Sequence, residues 1–417
     1  MQLIAKKGSV TISELTRDYD QESREQTILF LRRLFKYGII VINERTELQS
    51  LPEIRFVSND SPKGLEWLVT GKCNADCIYC IYQKYKKEID ELNTQEASKL
   101  IQSISEIGTI NVTISGGEPF LRRDLFELIN EMRMRNIFVT IITNGSRLNM
   151  RVARFLKKND VKIKLSLDSM NPRVHDYLRG VQGLWEKASA GLNLLLKEEV
   201  ETEVNTVITR HNFFELQQFY EKVVRSNIKR WNISIVRPMG AAANKWYDIY
   251  PDIMNNYWYV EQLVKQFMNE EKIEITFLFD FKFVKKYLQK RIRKKAANIT
   301  TNCMLELSNN SMLTISPKGD VYICPYLQFT RLGNIRERSL KDLWINSKFH
   351  QPLLDIGKKR MDTICKKCQH LLLCRGGCIA HVLSLKGNIC ACDPVGLERS
   401  HLFERIFYKP AEHLQGS

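Results

Sequence analysis

Between residues 65 and 237, short apolar runs alternate with longer stretches whose apolar residues recur every three or four positions. The short runs are Leu65–Thr70, Asn111–Ser115, Ile137–Ile142, Val161–Leu167, Glu203–Ile208 and Trp231–Arg237. They have strand length and are bounded by turn residues, which reads as strand. The stretches near 94–107, 122–135, 148–158, 183–197 and 213–226 carry a helical period. Thr94 is placed to cap the first, and Gly108 and Gly145 mark turns. Strands separated by crossover helices predict a parallel sheet. Six such units are too few for a closed eight-stranded barrel, so the expected fold is α/β, a partial (β/α)6 TIM-like barrel over residues 65–245, open on one side. Its chemistry is expected at the carboxyl ends of the strands.

The flanks read differently. Residues 1–45 suggest a small helical unit. Thr11 and Glu14 have capping-box spacing, Ile28, Leu31, Leu34 and Phe35 share one side of a helix over 23–37, and Gly38 stops it before a strand at 39–42. This order is like part of a winged-helix unit. Residues 46–64 read as a linker, 246–300 as a mostly helical, basic bridge, 301–395 as a cysteine-rich domain and 396–417 as a tail.

Charge widens the choice of partners before the cysteines narrow it. The formal net charge is +16, and eight of the fourteen residues from Lys282 to Lys295 are Lys or Arg. Such a surface suits nucleic acid or an acidic polypeptide, and it is also what a solvated helix face looks like. No run of eighteen apolar residues and no signal-like amino terminus is present, so no membrane partner is expected and the cytoplasm is the default location.

The eleven cysteines are clustered, with none among the first 72 residues. In a long chain with no sign of secretion this indicates metal rather than disulfides. Cys73, Cys77 and Cys80 form CxxxCxxC directly after the first strand. Three thiolates on one loop can hold three irons of a cubane and leave the fourth iron open. A closed zinc site would need a fourth ligand, and no further cysteine follows until Cys303.

At this point the sequence resembles the radical S-adenosylmethionine (SAM) superfamily. The resemblance implies that the open iron chelates SAM, and that reductive cleavage of SAM yields a 5′-deoxyadenosyl radical that abstracts hydrogen from the substrate. Tyr79 matches the aromatic position that packs beside adenine. Gly116-Gly117-Glu118-Pro119 after the second strand matches the motif whose backbone meets the methionine end of SAM, since glycines let a backbone approach closely. Asn144, Ser166 and Asp168 end the third and fourth strands and are candidates for the ribose region, although each type also caps helices, and Asp168 equally suits orienting the substrate. Leu178-Arg179-Gly180 is similar to a segment of the peptide-modifying branch, where the arginine can pair with the SAM carboxylate. No general base emerges from the sequence, and radical chemistry need not use one; Asp168, His175 and Asp176 lie near the mouth, and Arg237 is a weaker candidate for the pocket.

The later cysteines, Cys303, Cys324, Cys365-x2-Cys368-x5-Cys374-x3-Cys378 and Cys390-Ala391-Cys392, are similar to the seven-cysteine SPASM extension. That resemblance implies two auxiliary clusters and so three [4Fe–4S] clusters in all. Carried over by position, Cys303, Cys324 and Cys378 serve the inner cluster, and Cys365, Cys368 and Cys374 serve the outer one with Cys390 or Cys392 as its fourth ligand. With three assigned ligands, the inner cluster has a place for a substrate thiolate. Taken alone, the Cys365–Cys378 run also fits a zinc module.

The expected activity is hydrogen abstraction from a ribosomally made precursor peptide and installation of a crosslink, first a cysteine-derived thioether. A carbon–carbon crosslink, epimerisation and formylglycine formation by a sulfatase maturase use the same layout, and a zinc-dependent nucleic-acid-binding protein is the reading from another class. The implied partners are a leader-bearing peptide, an electron donor such as flavodoxin or ferredoxin, and a separate recognition protein. In the peptide-recognition domain common among such enzymes a small sheet comes first, and here too few residues precede the first helix to build it.

Overall fold

The computed structural model describes residues 9–11, 20, 40–43, 53–56, 62, 64–87, 90–226, 228–277, 279–280, 312–345, 364–370 and 377–407. Strands β1 (Ser9–Thr11), β2 (Ile40–Asn43) and β3 (Glu53–Phe56) form an antiparallel sheet in the order β1–β3–β2. β3 lies inside the expected linker. Its Glu-Ile-Arg-Phe sequence alternates polar and apolar residues, a strand signal too short to stand out. A small sheet is therefore present after all, assembled from both ends of the segment. The helices expected between Thr11 and Tyr37, and the basic tract Lys282–Lys295, lie outside the described residues.

The main sheet runs β4 (Gly64–Thr70), β5 (Asn111–Gly116), β6 (Phe138–Thr143), β7 (Lys162–Ser166), β8 (Thr202–Ile208), β9 (Arg230–Ile235) and β10 (Glu274–Phe277), all parallel and in chain order. Helices α1 (Thr94–Glu106), α2 (Leu125–Met134), α3 (Met150–Lys158), α4 (Pro172–Arg179), α5 (Leu184–Lys197) and α6 (Leu216–Arg225) lie between the strands. Thr94 is the first residue of α1 rather than its cap. The cap is Asn93, whose side chain accepts the Glu96 N–H at 3.0 Å while Glu96 accepts the Asn93 N–H at 2.9 Å.

Strand is added at both ends of the barrel. In the bridge, after α7 (Trp246–Ile249) and α8 (Tyr257–Met268), β10 extends the parallel sheet, because Ile273, Ile275 and Phe277 alternate with polar residues and bury one face. β11 (Phe279–Asp280) turns back antiparallel to β10. At the other edge β12 (Met312–Ile315) pairs parallel with β4, and β13 (Asp320–Tyr322) and β14 (Arg331–Asn334) continue antiparallel. The cysteine-rich region is thus joined to the barrel through its sheet. Helices α9 (Leu340–Ile345), α10 (Ile379–Lys386) and α11 (Pro394–Phe407) follow. The expected tail contributes to the core as well, since Leu402 and Phe403 of α11 are fully buried among Trp231, Phe219, Leu263 and Phe277. Among the described residues no helix is long and apolar enough to cross a membrane.

Alternate residues of each barrel strand face opposite ways. Leu65, Trp67, Ile114, Ile141, Ile163 and Leu165 face the helices and pack with Leu100, Ile101, Leu128 and Leu156 in one core. The complementary set is largely polar, with Ile142 and Val207 among it, and faces the lumen, and this is what creates a site.

Candidate active site

Glu66, Thr113, Ser115, Lys164, Ser166, Asn205, Asn232 and Ser234 project from five barrel strands into a cavity of about 550 Å³. Cys73, Cys77, Cys80, Tyr79, Gly116, Gly117, Glu118, Asn144 and Arg179 complete its wall from the loops at the carboxyl ends of the strands. The three thiols therefore share one cavity with the glycine turn. Among the described residues no three Cys, His, Asp or Glu side chains close on a single-ion site. Burial pushes the Cys73 thiol up to about 11 and raises Cys80 as well. Bare, such thiols hold their protons, so they become anions when iron supplies the compensating charge. Three thiols on one loop, deprotonated by what they bind, beside an open cavity, fit a cluster with one unliganded corner.

The glycine turn is built to hold that loop. Gly117 N–H donates to the Thr70 carbonyl at 2.7 Å and Glu118 N–H to the Lys72 carbonyl at 2.8 Å. A Cβ on Gly117 would come within 2.0 Å of the Lys72 oxygen. Gly117 is therefore needed for contact with the backbone leading into Cys73, rather than only for approach to a ligand. Gly116 has φ +116°, a conformation that side chains resist. Glu118 is buried. Its carboxylate accepts from Thr143 Oγ1 at 2.7 Å and from the Asn144 N–H at 2.8 Å, which ties the turn after β5 to the end of β6. Asn144 in turn reaches Asn74 inside the cysteine loop at 3.0 Å.

Two expected contacts are displaced. Pro119 is buried as the first residue of a short 3-10 turn and does not line the cavity. Asp168 does not line it either. Its carboxylate is spent on Tyr79 Oη, on Arg179 Nε at 2.6 Å and on the Val207 N–H at 2.9 Å. Asp168 therefore orients Tyr79 and Arg179, and Ser166 and Asn144 are left as the polar strand-end groups on the cavity wall. Behind it His175 is fully buried; its Nδ1 accepts the Asp168 N–H at 3.2 Å, and burial pulls its titration down to about 4. Asp176 is also structural, accepting the Gly183 and Trp185 N–H groups at 2.6 and 2.8 Å.

Several wall residues escaped the sequence reading. Glu66 bonds to Tyr82 and Ser115, and burial raises its carboxyl. Tyr82 stacks on Tyr326 at 6.3 Å between centroids. Lys86 lines the cavity and holds the Ala75 carbonyl at 2.9 Å. The signal was available, since polar residues at every second position of a buried parallel strand mark a lumen. Tyr326 leads from the cavity to the cysteine-rich region: Cys324 and Cys378 sit in one apolar cluster with Tyr326, Met239 and Ile379. Cys365 and Cys368 share a turn, with the Cys368 N–H on the Cys365 carbonyl at 3.0 Å, while Cys390 is half-buried and Cys392 exposed. Cys303 and Cys374 lie outside the described residues.

Residues 67–223 match the family model of the radical SAM superfamily, and residues 303–369 match that of an iron-sulfur cluster-binding domain, SPASM. The chain thus carries a radical SAM domain followed by a SPASM domain. As a radical SAM enzyme it uses SAM and iron-sulfur chemistry. It is 29% identical to mycofactocin maturase MftC of Mycolicibacterium smegmatis over 77% of this chain and 79% of that one. It is 24% identical to an AdoMet-dependent heme synthase of Methanosarcina barkeri over 82% of this chain and 97% of that one. Its fold is that of anSMEcpe with bound AdoMet and Cp18Cys peptide, with a TM-score of 0.65 at 20% identity over 83% of this chain and 96% of that one. SuiB of Streptococcus suis bound to S-adenosylmethionine gives a TM-score of 0.63 at 17% identity over 92% and 86%.

Proposed function

We propose that this radical SAM enzyme modifies a precursor peptide and that its product is a crosslink, first a cysteine-derived thioether. The observation that carries this reading is the single cavity shared by Cys73, Cys77 and Cys80, the Gly116–Glu118 turn and the polar lumen. Cys73, Cys77 and Cys80 would hold the SAM-binding cluster, which supplies a 5′-deoxyadenosyl radical when loaded with SAM and an electron. Tyr79, Gly116, Gly117, Asn144 and Ser166 border the space for SAM, while Glu118 and Asp168 fix those groups from behind. Three [4Fe–4S] clusters are expected, the auxiliary pair held by Cys303, Cys324 and Cys378, and by Cys365, Cys368, Cys374 and one of Cys390 and Cys392.

The substrate side of the cavity favours a peptide. Asn232 donates to Asn205 Oδ1 at 3.1 Å, which leaves the Asn205 N–H groups and the Ser234 hydroxyl to meet a peptide backbone, and Arg237 adds a cation to the wall. Mycofactocin maturase and the SuiB complex with its precursor peptide SuiA support the same substrate class. Tyr326 opens the cavity toward Cys324 and Cys378, which suits a substrate cysteine arriving on that side. The test is anaerobic incubation of the reconstituted enzyme with SAM, reductant and a cysteine-containing precursor peptide encoded beside its gene. Loss of two hydrogen atoms from the peptide, with the cysteine blocked to alkylation, supports a thioether. Conversion of the cysteine to an aldehyde would instead indicate sulfatase maturation, and an unchanged peptide would refute the proposal.

A further inference from the structure

The carboxyl end of α4 is zipped to the cysteine loop. Asp76 N–H donates to the Arg179 carbonyl at 2.9 Å and Ile78 N–H to the Leu178 carbonyl at 3.0 Å. Gly180 closes α4 with φ +67°, and a Cβ there would lie 2.3 Å from the Asp76 oxygen. Arg179 is therefore fixed beside Cys77 by backbone contacts on both sides. Its side chain is buried and turned toward the loop. Nε is held by Asp168 at 2.6 Å, Nη1 faces Cys77 Sγ at 3.8 Å, and the guanidinium carbon lies 5.5 Å from the Tyr79 ring centroid. Asp168 cannot follow a swing of the fork, because Tyr79 and the Val207 N–H hold its carboxylate.

A planar, always-charged donor in a dry site directs its N–H bonds strongly. Asp168 offsets the net charge, so what reaches the sulfur is chiefly the directed N–H rather than a bare cation. A donor on a cluster thiolate draws electron density from it and stabilises the reduced, more negative cluster, which raises the reduction potential. Lys86 is a less effective second cation, because it is spent on the exposed Asp76 at 2.7 Å.

We propose that Arg179 acts as a hydrogen-bond donor to Cys77 Sγ that raises the reduction potential of the cluster on the Cys73–Cys80 loop, with Asp168 as its positioning residue. This rests on the assignment of that cluster to Cys73, Cys77 and Cys80. It gives Arg179 a role at the cluster in place of the expected pairing with the SAM carboxylate.

The test is an anaerobic redox titration of the complete enzyme followed by electron paramagnetic resonance. The signal that changes when SAM is added identifies this cluster among the others. In Arg179→Met the reduced-to-oxidised ratio at a fixed potential is expected to fall about tenfold, a lowering of about 59 mV for one electron. Arg179→Lys, which keeps the charge but not the fork, and Asp168→Glu, which keeps the carboxylate but displaces the fork by one methylene, are expected to lower the midpoint less, with the auxiliary midpoints unmoved. If Arg179→Met does not fold, these two variants decide the question. A SAM-responsive midpoint unchanged in the variants that fold overturns the proposal. A wild-type enzyme with no SAM-responsive signal would instead refute the cluster assignment on which it rests.

Discussion

His175 sits in the fold with no room for a charge. It is fully buried on α4, its Nδ1 accepts the Asp168 N–H, and its Nε2 has no partner. Burial, helped by Arg179, lowers its titration from the ordinary 6.5 to about 4 against the opposing pull of Asp168 and Asp176. The folded chain thus keeps His175 neutral at a pH where the unfolded chain protonates it. Stability from this group is complete above the unfolded value and is lost as pH falls from about 6.5 toward 4. Integrating the proton linkage between about pH 7 and pH 5 gives a loss of about 2 kcal/mol. Other groups titrate in the same window, so the assay is the difference between two proteins. Cluster-loaded wild type and His175→Asn, whose amide oxygen can replace Nδ1, are unfolded in urea at several pH values. The variant is expected to be less stable at pH 7 by about 1–3 kcal/mol, for lost packing. The gap is expected to narrow by about 2 kcal/mol at pH 5. A gap that stays constant from pH 7 to pH 5 would show that His175 titrates alike in both states and refute the reasoning.

Gly117→Ala is expected to cost about 1–3 kcal/mol by overpacking against the Lys72 carbonyl and to weaken SAM binding, measured by thermal unfolding and equilibrium dialysis. Gly387→Ala, left-handed but with nothing within 4 Å, is expected to cost about 1 kcal/mol and leave SAM binding unchanged. Phe403→Ala is expected to lose about 3–5 kcal/mol in urea unfolding, because its ring is fully buried in the barrel core. Cys324→Ala is expected to lower the iron content while leaving the SAM-responsive resonance signal in place, since Cys324 sits in the cluster with Cys378 and not on the Cys73–Cys80 loop.

The barrel was legible because its strands and helices carry opposite periods, and each of the six expected strands lies within two residues of the observed one. β10 escaped because four residues of alternating pattern follow a strongly helical α8, where local periodicity favours helix. β3 escaped for the same shortness, and both strands are fixed by partners far away in the chain. At the site, Cys73, Cys77 and Cys80 and the glycine turn were legible as motifs, since spacing along one loop is local information. The roles of Asp168 and Arg179 were not, because they depend on Tyr79, Cys77 and Val207 meeting across three elements. Sequence placed Asp168 at a strand end, which is true of a ligand contact and of a bracket alike. Its burial decides for the bracket.

The most direct measurement is 5′-deoxyadenosine released from SAM by the anaerobically reconstituted chain under strong reductant, compared with the Cys73→Ala/Cys77→Ala/Cys80→Ala variant. Sustained release by the wild type and none by the variant is the expected result. Equal release from both, or none from a wild type that carries iron at these three cysteines, would contradict the claim that this loop holds the cluster that cleaves SAM.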